Sequence, residues 1–283
     1  MHNRIWVPAA FMFEHGIVLL NEPMEADTHE LIAKLTERKY KKPFVFEDGM
    51  VRRLYFTVPN VQSEMAIRTP NALTLAYTQA MMGFMLFTPA PRHILIVGLG
   101  GGSLTKFCYH RLPTARITTV ELNPAVIAFG DLFEIPPQNT RNTLVQCDAV
   151  DYIAGMTERS DVILLDGCDG EGIAPAFCNE GFYRGVHARL DVDGVVAMNL
   201  AGPIEVRRAH VKVLTRAFGP RLLINHVRDG NQVVFAFKNP EFSPEWPAIE
   251  RKAAWLMKRH GLDFLSLARG LRNTQRGPPG SLW

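Results

Sequence analysis

Cysteine is scarce: four residues (Cys108, Cys147, Cys168, Cys178) in 283. None forms a C-x-x-C pair, which argues against a zinc-type site, and four are too few to staple a chain of this length. A reducing cytoplasm is the compartment this implies. The chain also lacks an excess of one charge. Thirty-one Lys and Arg against 28 Asp and Glu leave +3, which forces neither nucleic acid nor a membrane surface as partner. Long apolar runs are few. Residues 69–91 carry no charge and could span a bilayer by length, but Pro70, Asn71, Thr74, Tyr77, Thr78, Gln79, Pro89 and Pro91 interrupt them. A buried helix of a soluble protein is expected there instead. Glu14 and His15 break the apolar start, and no small-residue cleavage site follows, so no targeting segment is expected. Nine histidines show no H-E-x-x-H spacing, and no metal site is expected. What is present is 47% hydrophobic and 21% charged residues, enough to bury a sizeable core and to exclude disorder over most of the chain.

The chain changes character near residue 69. Before it, the apolar runs 44–46 and 51–58 flank Glu47-Asp48-Gly49, a hairpin signal. Leu54, Phe56 and Val58 alternate with Tyr55 and Thr57 as a half-buried strand does. Residues 27–42 are polar and helix-permissive. Residues 1–68 are therefore expected to form a small β-rich domain. From residue 73 short apolar strands alternate with helices. Strands are expected at 93–97, 116–120, 144–147, 161–165 and 194–200, with helices at 73–87, 103–111, 123–133, 149–156, 182–190 and 207–218. This is the signature of a parallel sheet covered on both faces. Strands at 221–227 and 231–237, joined by Arg228-Asp229-Gly230-Asn231, form an antiparallel end. The expected class is α/β, a Rossmann-like, class I methyltransferase-like fold over residues 69–240. A helical extension and a frayed tail at 276–280 complete the chain over 241–283. Met65, Met81, Met82 and Met85 are expected in the core. The pairs Arg52-Arg53 and Arg207-Arg208 are expected on a solvated surface.

In such a sheet ligands bind beyond the carboxyl ends of the strands, which singles out four places. Gly98-Leu99-Gly100-Gly101-Gly102 joins the first strand of this region to a helix and is richer in glycine than packing needs, so it reads as a ligand loop. Ser103 stands where G-x-G-x-x-G would place its last glycine, which favours a nucleoside over a dinucleotide. Glu121 ends the second strand, where a carboxylate can accept both ribose hydroxyls. Asp148, before Ala149, either accepts from an adenine amino group or caps the following helix. Asp166 and Asp169 sit in one glycine-flanked loop, where two carboxylates can converge on a cationic, proton-donating substrate and proximity raises one pKa. Cys168 between them reads as a spacer, because a reactive thiol needs an activating neighbour.

Taken together, these residues resemble the polyamine aminopropyltransferases, the family of spermidine synthase. The similarity runs over residues 44–240. Val61-Gln62-Ser63-Glu64-Met65 resembles the segment whose glutamine contacts the nucleoside, implicating Gln62. Ala76-Tyr77-Thr78-Gln79 resembles the segment of the catalytic tyrosine, implicating Tyr77. Gly98, Gly100, Gly101, Glu121, Asp148 and Ala149 match the nucleoside-binding positions, and Asp166 and Asp169 match the D-x-x-D loop. Phe237-Lys238-Asn239-Pro240 resembles the end of the last strand. The resemblance implies decarboxylated S-adenosylmethionine as cosubstrate, no metal, a small-molecule amine as acceptor and a homodimer. The chain departs from the family at three points. Gly101 or Gly102 stands where the glycine loop carries an aspartate for the cosubstrate's amine. Residues 73–76 hold no acid upstream of the tyrosine. Gly170 replaces a proline after the second aspartate. The expected activity is aminopropyl transfer with Asp166 as base and Tyr77 and Asp169 orienting the amine. A methyltransferase using intact S-adenosylmethionine and a non-catalytic nucleoside binder are the alternatives, because a fold does not determine which carbon is transferred.

Overall fold

The computed structural model describes residues 4–8, 16–58, 60–169, 172–220 and 222–275, with backbone alone at 6–8, 168, 169 and 172. The tail expected at 276–280 lies outside the described residues.

Five antiparallel strands open the chain in sequential order: β1 (Ile5–Pro8), β2 (Ile17–Leu20), β3 (Phe44–Glu47), β4 (Val51–Thr57) and β5 (Asn60–Ala66). The turn between β3 and β4 is the expected one: Gly49 has φ +82°, and Asp48 Oδ1 accepts from the amides of Met50 and Val51. Side chains alternate across this sheet. One face, with Val18, Leu20, Phe44, Phe46 and Tyr55, buries Leu31 and Leu35 of helix α1 (Thr28–Thr36), whose first turn Asp27 caps. The other face, with Leu19, Val45, Leu54 and Met65, packs on Leu99, Val126, Phe129 and Phe133 of the second half of the chain. Arg52 and Arg53 are not the solvated pair expected from sequence. Both are half-buried and engaged with acids, Arg52 with Glu47 and Arg53 with Glu64 and Asp48, because the covered sheet face leaves their guanidinium groups little water.

The second half begins with α2 (Ala76–Met81), continued by a 3-10 turn over Met82–Leu86. Then follow β6 (His93–Val97), α3 (Ser103–Arg111), β7 (Arg116–Glu121), α4 (Pro124–Ile127), β8 (Asn142–Gln146), α5 (Ala149–Gly155) and β9 (Ser160–Leu165). A two-residue hairpin, β10 (Cys168–Asp169) with β11 (Gly172–Ile173), precedes α6 (Glu180–Arg189), β12 (Leu190–Leu200), α7 (Ile204–Phe218), β13 (Leu223–His226) and β14 (Gln232–Phe237). Helices α8 (Trp246–His260) and α9 (Phe264–Gln275) complete the described chain. The sheet order is β13-β14-β12-β9-β6-β7-β8. Strands β12, β9, β6, β7 and β8 run parallel, and β14 and β13 are antiparallel. This is the expected α/β class with its small N-terminal sheet. Alternate residues of one strand serve opposite cores: Ile94 and Ile96 face α3, α8 and α9, whereas Leu95 and Val97 face α5, α6 and α7.

Two expected helices are shorter than their apolar patterns. Residues 73–75 lie outside the helix, Leu75 being extended, and only 76–81 are α-helical. Met82, Phe84 and Met85 are fully buried, so tertiary packing sets the tighter turn that follows. The helix expected over 123–133 ends at Ile127. Beyond it Phe129 and Gly130 close three-residue turns onto Val126 and Ile127. The reason is packing: Phe129 and Phe133 both point into the core under the N-terminal sheet, and Lys106 Nζ ties down the Phe133 carbonyl at 2.7 Å. Among the described residues no helix is long and apolar enough to cross a membrane.

Candidate active site

The chain order reverses between β6 and β9, and at that point the parallel strands end on one cavity of about 760 Å³. Its floor is the turn after β6. Gly98 has φ +92°, and a Cβ there would sit 2.3 Å from the Asp166 carbonyl oxygen. Only glycine lets the ends of β6 and β9 come this close. Glu121, last residue of β7, is held by two backbone donors. Leu99 N–H gives to one carboxylate oxygen at 2.9 Å and Asn123 N–H to the other at 2.7 Å. Its orientation is therefore set before any ligand arrives. Asp148 caps α5 by accepting from Val150 N–H at 2.7 Å, and it also lines the cavity. The capping alternative is thus realised, with one carboxylate oxygen left over. Ala149 and Gly100 line the same wall.

Gln62 comes from the N-terminal sheet. In the β4–β5 pairing Leu54 faces Ser63 and Tyr55 faces Val61, so Gln62 is an extra residue in a β-bulge. A bulge re-aims its side chain, and Gln62 lines the cavity. Tyr77 comes from the first turn of α2. The segment before it is tied to β5 by a hydrogen bond from Thr74 Oγ1 to the Glu64 carbonyl at 3.0 Å.

Asp166 is the centre of the polar group. Its Oδ2 accepts from the Tyr77 hydroxyl at 3.2 Å and its Oδ1 from Asn199 Nδ2 at 2.9 Å. Asn199 Oδ1 in turn accepts from Asn231 Nδ2 at 3.1 Å. Burial raises the Asp166 carboxyl from the ordinary carboxylate range to about 7, against the opposing pull of the Asn199 and Tyr77 hydrogen bonds. Four acids line the cavity (Glu121, Asp148, Asp166, Asp229), and among its described lining residues there is no Lys, Arg or His.

Of the ten residues singled out from sequence, eight line this cavity: Gln62, Tyr77, Gly98, Gly100, Glu121, Asp148, Ala149 and Asp166. Gly101 does not. Its missing Cβ would lie 2.7 Å from the Phe133 ring and 2.8 Å from Ser63 Oγ. The Asp169 side chain lies outside the described residues. Sequence reading missed Asn199, Asn231 and Asp229. An asparagine inside the apolar run of β12 was a signal for the first. The other two were read only as turn formers. Among the described residues no three His, Cys, Asp or Glu side chains gather in a metal-binding cluster.

An acid-lined cavity at the switch point of a mostly parallel sheet is the arrangement of the class I methyltransferase-like folds. The sequence profile of the spermine/spermidine synthase domain matches residues 74–218. A polyamine aminopropyltransferase of Neisseria meningitidis is 36% identical over 231 residues, covering 81% of this chain and 88% of the relative. The chain belongs to the spermine/spermidine synthase family. Among solved structures, a probable spermidine synthase from Corynebacterium glutamicum superposes with a TM-score of 0.61 at 18% identity, covering 91% of this chain and 93% of that one. Human methyltransferase-like protein 13 in complex with SAH gives 0.57 at 25% identity, covering 73% and 95%.

Proposed function

We propose that this chain transfers the aminopropyl group of decarboxylated S-adenosylmethionine to a small amine, a step of polyamine biosynthesis. The observation that carries the reading is the Asp166 carboxyl. It is poised near neutrality, held by Tyr77 and Asn199, in a cavity lined by carboxylates. The acceptor amine nitrogen forms a bond to the methylene next to the sulfonium. The carbon–sulfur bond breaks, sulfur keeps the electron pair, and methylthioadenosine leaves. The attacking nitrogen must first give up a proton, and Asp166 takes it. A base with a pKa near the working pH combines availability with driving force. Tyr77 and Asn199 fix the carboxylate in place, so that the reactants meet in line. Glu121, with both oxygens already braced by backbone, accepts from the ribose hydroxyls. Gln62 and the free oxygen of Asp148 take the adenosine, and Gly98 and Gly100 let it approach the backbone. Asp169 adds a second carboxylate at the amine.

The field of the cavity suits this chemistry. A sulfonium and an ammonium are both cations, and concave walls of one sign concentrate counter-charge. The methyltransferase reading stays as the rival because of the likeness to the SAH-bound structure and because position 101 bears no acid. The test is a mass-spectrometric assay of transfer to a set of amines, with wild type and Asp166→Asn. Loss of the general base is expected to lower the rate about 10²–10⁴-fold, with methylthioadenosine binding retained. Undiminished transfer by Asp166→Asn overturns the mechanism. No transfer by wild type, together with tight binding of intact S-adenosylmethionine, selects the methyltransferase.

The working form proposed here is a cytoplasmic homodimer. Free thiols on Cys108, Cys147 and Cys178 support a reducing compartment. The dimer rests on the family resemblance and is checked by light scattering at micromolar concentration, where a clean monomer rules it out.

A further inference from the structure

Tyr77 is aimed at Asp166 from a helix with little of its own to hold it. Helix α2 is six residues long, too short to stand on main-chain bonds alone. Its N-cap, Leu75, is extended and offers no capping side chain. The first bond of the turn, from Gln79 N–H to the Leu75 carbonyl, is long at 3.4 Å. Side chains make up the difference. Thr78 Oγ1 donates to the Leu75 carbonyl at 2.6 Å, and Gln79 Nε2 to the Leu73 carbonyl at 2.8 Å. Both bonds shape the segment without fixing it to a neighbouring element. The far end runs into the buried turn over Met82–Leu86. The near end, which carries Tyr77, reaches across to β5 through Thr74 Oγ1 and the Glu64 carbonyl at 3.0 Å.

That carbonyl is itself well fixed. Glu64 lies opposite Arg53 in the β4–β5 pairing, and Arg53 Nε donates to its carboxylate at 2.7 Å. Ser103 Oγ, at the start of α3, lies 3.5 Å from the same carbonyl oxygen. Gln62 is two positions earlier on the strand. One oxygen is thus the meeting point of the strand that bears Gln62, the helix after the glycine loop and the segment that aims Tyr77. Thr74 is half-buried and does not line the cavity, so it acts on the reaction through what it holds.

We propose that Thr74 is a positioning residue for aminopropyl transfer: its hydroxyl, bonded to the Glu64 carbonyl, holds the start of α2 so that the Tyr77 hydroxyl meets Asp166. The inference rests on the aminopropyl-transfer reading, in which Asp166 is the base. Without the tie, the near end of α2 swings on the buried turn and Tyr77 spends less time at Oδ2. The carboxylate then loses part of a donor that favours its charged form. A neutral hydrogen bond weighs on an equilibrium by about fivefold. Carried in full to Asp166, that is about 0.7 pH unit, which is the upper bound of the effect.

The experiment follows single-turnover transfer at saturating amine across the acid limb. It compares wild type, Thr74→Val, Thr74→Ala, Thr74→Ser, Tyr77→Phe and the double variant of Tyr77→Phe with Thr74→Val. Valine keeps the shape of threonine and loses the hydroxyl. Thr74→Val and Thr74→Ala are both expected to move the limb upward by about half a pH unit and to rejoin the wild-type rate at high pH. Thr74→Ser keeps the hydroxyl and should superpose on wild type. In the Tyr77→Phe background Thr74→Val should add no shift, because the bond it supports is already gone. Besides Asp166 and Tyr77, the described titratable groups lining the cavity are Glu121, Cys147, Asp148 and Asp229, and none of them is altered. A merely structural role would lower the rate at every pH and leave the limb in place. A Thr74→Val limb superposed on that of wild type overturns the inference alone. So does a Thr74→Ser limb displaced as far as that of Thr74→Val, or an equal displacement in the Tyr77→Phe background. No transfer to any amine by wild type overturns the aminopropyl-transfer reading and this assignment with it.

Discussion

The ionisation of Asp166 makes a sharp demand on the rate. With its carboxyl raised to about 7, the base-competent fraction falls tenfold for each pH unit below that point. Single-turnover transfer at saturating amine should therefore drop to about one hundredth of its plateau by pH 5. The Tyr77 hydroxyl, 3.2 Å from Oδ2, and the Asn199 amide, 2.9 Å from Oδ1, both favour the charged form. A hydrogen bond to a charged group is worth about 1.5–3 kcal/mol, which is about one to two pH units. Tyr77→Phe should move the acid limb upward by about one unit, since its bond is the longer of the two. Asn199→Leu should move it further. At pH 7 Tyr77→Phe should transfer about fivefold more slowly than wild type, and at pH 9 the gap should close. That recovery separates tuning of the base from loss of a contact with substrate, which high pH would not repair. A limb centred between pH 4 and 5, the ordinary range of a carboxyl, would refute the reasoning. So would a Tyr77→Phe limb superposed on that of wild type.

Two further outcomes follow from charged groups held in place by the fold. Glu121→Ala removes the carboxylate braced by the amides of Leu99 and Asn123; calorimetry should show methylthioadenosine binding weakened about tenfold or more, and an unchanged dissociation constant removes the ribose from Glu121. Lys106 is fully buried, and burial lowers its ammonium to about 8. The unfolded chain holds that proton up to about pH 10.4, so between about pH 8 and 10 deprotonation favours the fold by about 1.4 kcal/mol per pH unit. Across that window the stability of wild type should rise relative to Lys106→Met in denaturant titrations, and parallel curves would contradict the assignment.

Much of the architecture was legible because parallel strands buried on both faces read as unbroken apolar runs. The stretches at 93–97 and 161–165 are examples, and the rule for strand ends then pointed to Glu121, Asp148 and Asp166. Other features depend on pairing that no local window contains. The bulge that re-aims Gln62 exists only in the register between β4 and β5. The hydrogen bond from Asn231 to Asn199 joins a turn to a strand end 32 positions away. The helix expected over 123–133 failed because Phe129 and Phe133 satisfy a helical period equally well in turns, and the core beneath the N-terminal sheet decided between them.

The bare glycine loop is explained by the same packing. A side chain at position 101 would meet the Phe133 ring at 2.7 Å, and Phe133 is held there by the Lys106 hydrogen bond to its carbonyl. Restoring an acid at 101 would thus displace an aromatic ring that seals the two sheets together. Attraction of a cationic cosubstrate need not come from one contact, however. Glu121, Asp148, Asp166 and Asp229 share one cavity without a described cation among its lining residues. Coulomb energies between groups at low-dielectric walls are larger at a given distance than those in water. The summed field then draws a sulfonium and an ammonium inward and opposes a ligand carboxylate. A cosubstrate that has lost its carboxyl group meets that field without penalty. The intact one must find backbone donors strong enough to offset the acids of the cavity. Under the proposed function, the distribution of charge over the whole cavity, rather than the identity of one loop residue, is the feature on which the choice of cosubstrate turns.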